Sequence, residues 1–230
     1  MDLSRLKPYH GYQSSFIPFS SGYYLYLASW DSTPTRFPSF SNLWVIRPDD
    51  HRILFADPAE SSQIVCIYHK FDEIFGASIS LDWSSQNDLQ VQCVSDDGSY
   101  SINMELELRT TRASRLLVAL GGGPPNPITV SKPVSALLNF MVNLLVAKGG
   151  MRIVGKTETG QPFYNGATER LMLVQRGSAV SNAKELGHVT SPTWPVEFGD
   201  SVSSVQAVLK LGTLFIPYEE ELEDDRCLSR

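Results

Sequence analysis

The sequence predicts an α+β fold dominated by β-structure: a strongly curved antiparallel sheet or barrel enclosing a cavity, with one long and one short helix. Three observations lead there. Apolar and polar residues alternate with period two through three consecutive runs between Ala77 and Arg109. Short β-branched or aromatic runs recur on both sides of that unit, and only two segments carry helical character.

The alternating unit comes first because its pattern is cleanest. Ala77, Ile79, Leu81 and Trp83 alternate with Ser78, Ser80 and Asp82. Leu89, Val91 and Cys93 alternate with Gln90 and Gln92, and Ile102, Met104, Leu106 and Leu108 with Asn103, Glu105, Glu107 and Arg109. This is a three-stranded meander with one face on a core and one in water. Its connections, at 84–88 and 96–98, have hairpin chemistry. Further strands are expected over 23–30, 43–47, 52–55 and 63–71, and again over 151–158, 170–176 and 205–216. In the last, Val205, Ala207, Leu209, Leu211 and Phe215 share a face, and Gly212 marks a bulge or a close backbone approach. Strands at this frequency suit a curved sheet, barrel or sandwich.

The short helix is expected over 113–120, stopped by Gly121-Gly122-Gly123-Pro124-Pro125. The long one is expected over 135–148, with Ser131 or Ser135 as N-cap and Lys148-Gly149-Gly150 closing it. Its interior is apolar nearly all round except Asn139 and Asn143, so it should be buried on most sides, with the two amides finding hydrogen-bond partners. Without a basic polar face it reads as a helix flanking or plugging the sheet rather than lying in a membrane interface.

The 230 residues, 42% hydrophobic and 10% aromatic, are those of a globular chain. The net charge of −6 comes largely from Glu219, Glu220, Glu221, Glu223, Asp224 and Asp225. One domain over 1–218 followed by an acidic, solvated tail over 219–230 is expected. A near-neutral body and an acidic tail argue against nucleic acid as a partner. Cys66, Cys93 and Cys227 have no metal or disulfide spacing, and the first two fall in apolar strand patterns. There is no apolar signal region and no run long enough to span a membrane, so a cytoplasmic location is expected.

Motifs for common chemistry are absent. The glycines of 121–123 follow a helix and run into prolines, which is a helix stop rather than a phosphate loop. His10, His51, His69 and His188 have no paired spacing, so neither a metal nor a cofactor is expected. The polar stretch 156–166, followed by Glu169 and Arg170, reads mainly as a hairpin turn. Its Glu158, together with Tyr164, Arg170 and Lys70, is a candidate for orienting a ligand. The remaining candidate is IYHKFDEIFG, residues 67–76. In a strand over 63–71, His69 shares a face with Val65 and Ile67. If that face is concave, His69 is a candidate base, with Asp72 or Glu73 as its orienting carboxylate.

Three stretches carry a resemblance. GYYLYLASWD (22–31) looks like the early strand of the acetoacetate decarboxylase-like superfamily. YHKFDEIFG (68–76), with the meander after it, occupies the place of that family's lysine-bearing segment. SVQAVLKLGTLFIP (204–217) is similar to its closing strand. The resemblance implies a β-cone around an apolar cavity. The family's paired lysines, which form its imine, are missing here: Lys70 has no lysine beside it. The expectation is therefore a protein that binds a small apolar organic molecule, with acid–base catalysis (a lyase, isomerase or cyclase) as the alternative. An accessory role in a homo-oligomer stays open.

Overall fold

The computed structural model, which describes residues 2–121 and 123–218, contains fifteen strands and three helices. In chain order they are β1 (Leu6–Ser14), β2 (Ile17–Pro18), β3 (Tyr24–Ser32), β4 (Phe40–Ile46), β5 (Arg52–Asp57), β6 (Glu73–Trp83), β7 (Asp88–Ser95) and β8 (Ser101–Arg109). They continue as β9 (Val154–Lys156), β10 (Pro162–Tyr164), β11 (Thr168–Ser181), β12 (Lys184–His188), β13 (Glu197–Phe198), β14 (Ser201–Val202) and β15 (Val208–Pro217). The helices are α1 (Ser62–Cys66), α2 (Arg112–Gly121) and α3 (Lys132–Val142), the last continuing as a π-helical turn over Asn143–Ala147.

Nine strands close into a ring in the order β11-β8-β7-β6-β5-β4-β3-β1-β15, sealed by β15 pairing with β11. Neighbours are antiparallel except β5 and β6, which run parallel. The expected meander is present as β6, β7 and β8, and the exposed side chains of β7 and β8 alternate with buried ones along their whole length. Closure removes sheet edges and their unpaired backbone groups. The face shared by all the ring strands forms one contiguous core that includes Leu27, Leu43, Phe55, Val91, Met104 and Leu209. Packing of this interior by side chains is what a barrel of about eight strands allows.

The strand expected over 63–71 is absent. Residues 62–66 are helical, and Tyr68 and His69 donate their N–H groups back to the Val65 carbonyl. The reason is topological. Parallel neighbours need a crossover of about a dozen residues or more, and 58–72 is the crossover from β5 to β6. Cys66 accordingly ends a helix, while Cys93 lies buried in β7. Cys227 and the acidic tail lie outside the described residues.

The sequence reading did not include β1, a strand that contains Pro8 and Gly11. Pro8 is tolerated, and Gly11 is required: a Cβ there would sit 2.1 Å from the Ser29 carbonyl oxygen. Gly212 faces Gly11 across the β1–β15 pair and passes close to Ala167, the close approach expected of it.

A second layer covers part of the ring's outer surface. Tyr24, Trp44, Leu54 and Ile216 point outward into a cluster with Ile64, Tyr68 and Phe198, contributed by the crossover and by β13. The helices pack on neighbouring strands through Val146 against Leu171 and Val208. Asn139 and Asn143 find their partners in the segment that follows. Asn139 Oδ1 accepts from Ile153 N (2.7 Å), and Asn143 Oδ1 accepts from Met151 N (3.0 Å) while its Nδ2 donates to Met151 O (2.8 Å). One expectation fails: the long helix is not buried on most sides, since Leu137, Phe140 and Leu144 are each more than half exposed.

Candidate ligand-binding site

Between the ring's outer face and its cover lies a cavity of about 130 Å³. Its inner wall is the outward face of β1, β3, β4 and β15, which supply Gln13, Tyr26, Asn42, Trp44 and Lys210. Strict period two produces this division. Leu25 and Leu27 enter the ring interior, whereas Tyr26 and Ala28, each one residue further along, face the cavity. The outer wall comes from the crossover (Tyr68, His69), from Phe163 and Asn165 at the β9–β10 hairpin, and from Phe198. The sheet thus encloses the cavity with its own β9–β10 branch, which pairs with the far end of β15.

The walls are mainly aromatic. Tyr26 stacks on Trp44 with centroids 4.1 Å apart, and Trp44 in turn meets His69 at 4.8 Å and Phe198 at 5.1 Å. Polar atoms are few, and several lack a protein partner. Of the five buried side-chain atoms without one among the described residues, four belong to residues lining this cavity: Gln13 Oε1, Asn42 Oδ1, Trp44 Nε1 and His69 Nδ1. Buried polar atoms are ordinarily satisfied, so such a concentration calls for a reason.

Lys210 is the cation of the site and is 2% exposed. Its Nζ donates to Asn165 Oδ1 and, at 3.3 Å, to Thr213 O; both acceptors are neutral. No carboxylate pairs with it among the described residues, and desolvation lowers its pKa to about 7. The phenol of Tyr26, which accepts from Gln13 Nε2 at 2.7 Å, is pushed upward by burial and stays protonated.

His69 lines the cavity, though from the irregular segment after α1 rather than from a strand. Desolvation first, then the nearby Arg52 charge, lower its pKa to about 3. Asp72 and Glu73 stand elsewhere. Glu73 Oε1 is 2.6 Å from His51 Nε2, and Asp72 Oδ2 accepts from Arg52 N at 2.9 Å. Lys70 is exposed, and its backbone N–H donates to Glu158 Oε2 at 3.0 Å; Glu158 also receives Arg52 Nη1 at 2.9 Å. Arg170 bonds the Gln86 carbonyl at 2.6 Å on the surface. Tyr164 is buried and lines a second, smaller cavity under α2 and α3, which shares Met151 and Asn165 with the first.

Sequence reasoning missed Lys210, Asn165, Tyr26 and Trp44. One signal was present: a lysine in the middle of Val208-Leu209-Lys210-Leu211, a strand apolar on both sides of it. Among the described residues, no helix is long and apolar enough to cross a membrane. No protein-family model matches the chain, and no curated protein or solved structure matches it either.

Proposed function

We propose that this protein binds a small, largely apolar organic molecule bearing an ionised carboxylate, held between the aromatic walls of the cavity with its charge at Lys210. The observation that carries the reading is the buried, unpaired ammonium in an otherwise aromatic cavity. An ammonium has three donors, and Lys210 spends two of them on neutral oxygens. A buried cation without a counter-charge is costly, and a ligand carboxylate supplies both the charge and the missing acceptor. The unpartnered Trp44 Nε1 offers a further donor, and Gln13 Oε1 and Asn42 Oδ1 accept from any hydroxyl or amide the ligand carries. The volume suits a single-ring compound, since an apolar cavity of about 150 Å³ holds one benzene.

Acid–base catalysis on the same molecule is the second reading. Against it, His69 has no carboxylate to orient it among the described residues, and its lowered pKa makes it a weak base. The test is calorimetry and thermal shift with phenylacetate and its neutral isostere phenethyl alcohol. Phenylacetate should bind and raise the melting temperature, the alcohol much less. Lys210→Met should weaken phenylacetate by at least about 30-fold, because removing one partner of a buried charge pair costs about 2–5 kcal/mol. His69→Ala should leave binding largely intact. Equal binding of acid and alcohol would sink the proposal. So would a borohydride-trapped adduct of Lys210 with an aromatic aldehyde but no affinity for the acid, which would point to carbonyl chemistry.

A further inference from the structure

We propose that the outer face of α2 and α3 docks the protein, without crossing, on an anionic lipid surface. This inference does not rest on the cavity. The face is apolar: Leu116 and Leu120 on α2, Ile128 in the link, Leu137 and Phe140 on α3 and Leu144 on its π-helical continuation are all exposed, Ile128 by 71% and Leu144 by 63%. The last three are spaced three and four apart and so form one stripe, while Val142 and Val146 turn to the protein. Soluble surfaces rarely gather so many large apolar side chains unless something covers them.

Charge identifies the cover. From Arg109 to Thr157 the chain contains no Asp or Glu but seven basic residues: Arg109, Arg112, Arg115, Lys132, Lys148, Arg152 and Lys156. With a net charge of −6 overall, this stretch carries +7 and the remainder −13. All seven are exposed, and none forms an ion pair among the described residues. Arg112, Arg115, Lys132 and Lys148 sit on or at the ends of the two helices that carry the apolar face. Apolar side chains rimmed by cations are the composition of helices that lie in the membrane interface. The sequence reading found no basic face on the long helix by itself; the excess of cations emerges once both helices and the segments flanking them are taken together. A second copy fits poorly, because a self-complementary interface would set this basic segment against its own like charge.

The test is co-sedimentation of the full chain with vesicles of phosphatidylcholine alone and of phosphatidylcholine mixed with phosphatidylserine. Binding is expected to the mixed vesicles only, and it should collapse between about 0.1 and 1 M salt, as the screening length falls from about 10 to 3 Å. Phe140→Ser with Leu144→Ser, and separately Arg115→Glu with Lys132→Glu, should each weaken it by about tenfold or more. Unchanged circular dichroism would show that these exposed substitutions leave the fold intact. Absence of binding to either vesicle at low salt overturns the proposal. So does equal binding to both, or a stable dimer in solution that Phe140→Ser with Leu144→Ser converts to monomer.

Discussion

His69 and Lys210 have pKa values displaced downward by the same cause, burial, and each displacement has a sign that solution measurements can read. For His69 the unfolded chain takes its proton near 6.5 and the folded one near 3. Between those values the unfolded state binds more protons, so stability contributed at this position falls as pH drops through that window. His69→Phe removes the titrating group while keeping a ring against Trp44, and the loss of stability between pH 6.5 and 4 should become shallower than in the wild type. An identical slope in urea titrations would show that the ring is not desolvated as described. Lys210 behaves similarly at higher pH. Its unfolded value of 10.5 and folded value of about 7 make the ligand-free protein more stable as pH rises between them. A carboxylate ligand selects the protonated amine, so phenylacetate affinity should be greatest below pH 7 and fall about tenfold per unit above it. Flat affinity from pH 6 to 9 would mean that the ammonium does not hold the ligand. Only part of this was legible in advance. His69 was singled out as an imidazole beside charged groups, but by a strand parity that the crossover does not have. Lys210 was missed because only the face of the closing strand that holds Leu209 and Leu211 was singled out, whereas Val208 and Lys210 on the other face are buried as well.

At the scale of elements, α3 and the segment after it show how two polar side chains organise an irregular region. Asn139 presents an acceptor to Ile153 N and Val154 N and a donor to Val154 O; Asn143 does the same for Met151. The pair stands in for a neighbouring strand, satisfying backbone groups that have no ladder partner until β9 begins. Asn139→Ala would leave the Ile153 amide without its partner, at a cost of about 1–3 kcal/mol. At about 2–4 °C per kcal/mol for a chain of this size, a fall in melting temperature of several degrees is expected, along with faster hydrogen exchange at Ile153. Exchange unchanged at Ile153 would refute this account. The need for those partners was visible in the sequence as two amides on one face of an apolar helix. The meander was legible too, because β6, β7 and β8 keep one face wet and therefore alternate. By contrast, β3, β4 and β5 are covered on both faces and read as aromatic runs without period. Nor could the parallel β5–β6 pair be inferred, since local pattern says nothing about strand direction.

For the whole molecule, the decisive contact is the seam where the N-terminal strand meets the C-terminal one. Nine residues of β1 pair with β15, and Gly11 stands opposite Gly212 in the middle of that register. On each side of the seam the register shifts at this level, at His10/Gly11 against β3 and at Thr168/Arg170 against β11. β1 approaches β3, and β15 approaches Ala167 ahead of β11, this closely only because neither glycine has a side chain. A Cβ at Gly11 would stand 2.1 Å from Ser29 O, and one at Gly212 would stand 2.6 Å from Ala167 O, so backbone rather than a flexible side chain has to yield. Gly11→Ala and Gly212→Ala should therefore each cost at least the 1–3 kcal/mol typical of overpacking, read as a lower urea midpoint at constant slope. The clashes lie on opposite sides of the seam, so a methyl group at Gly11 drives β1 away from β3 and toward β15, while one at Gly212 drives β15 toward β1. The double variant should then lose more stability than the two singles added together, the non-additivity expected of neighbours. Lys210 lies two residues from Gly212, and its partner Asn165 two residues from Ala167, so displacing β15 from Ala167 should also pull that bond apart and weaken phenylacetate binding. Strict additivity in stability, with ligand affinity intact, would mean that each glycine serves only its own neighbour and that ring closure does not set the geometry of the cavity.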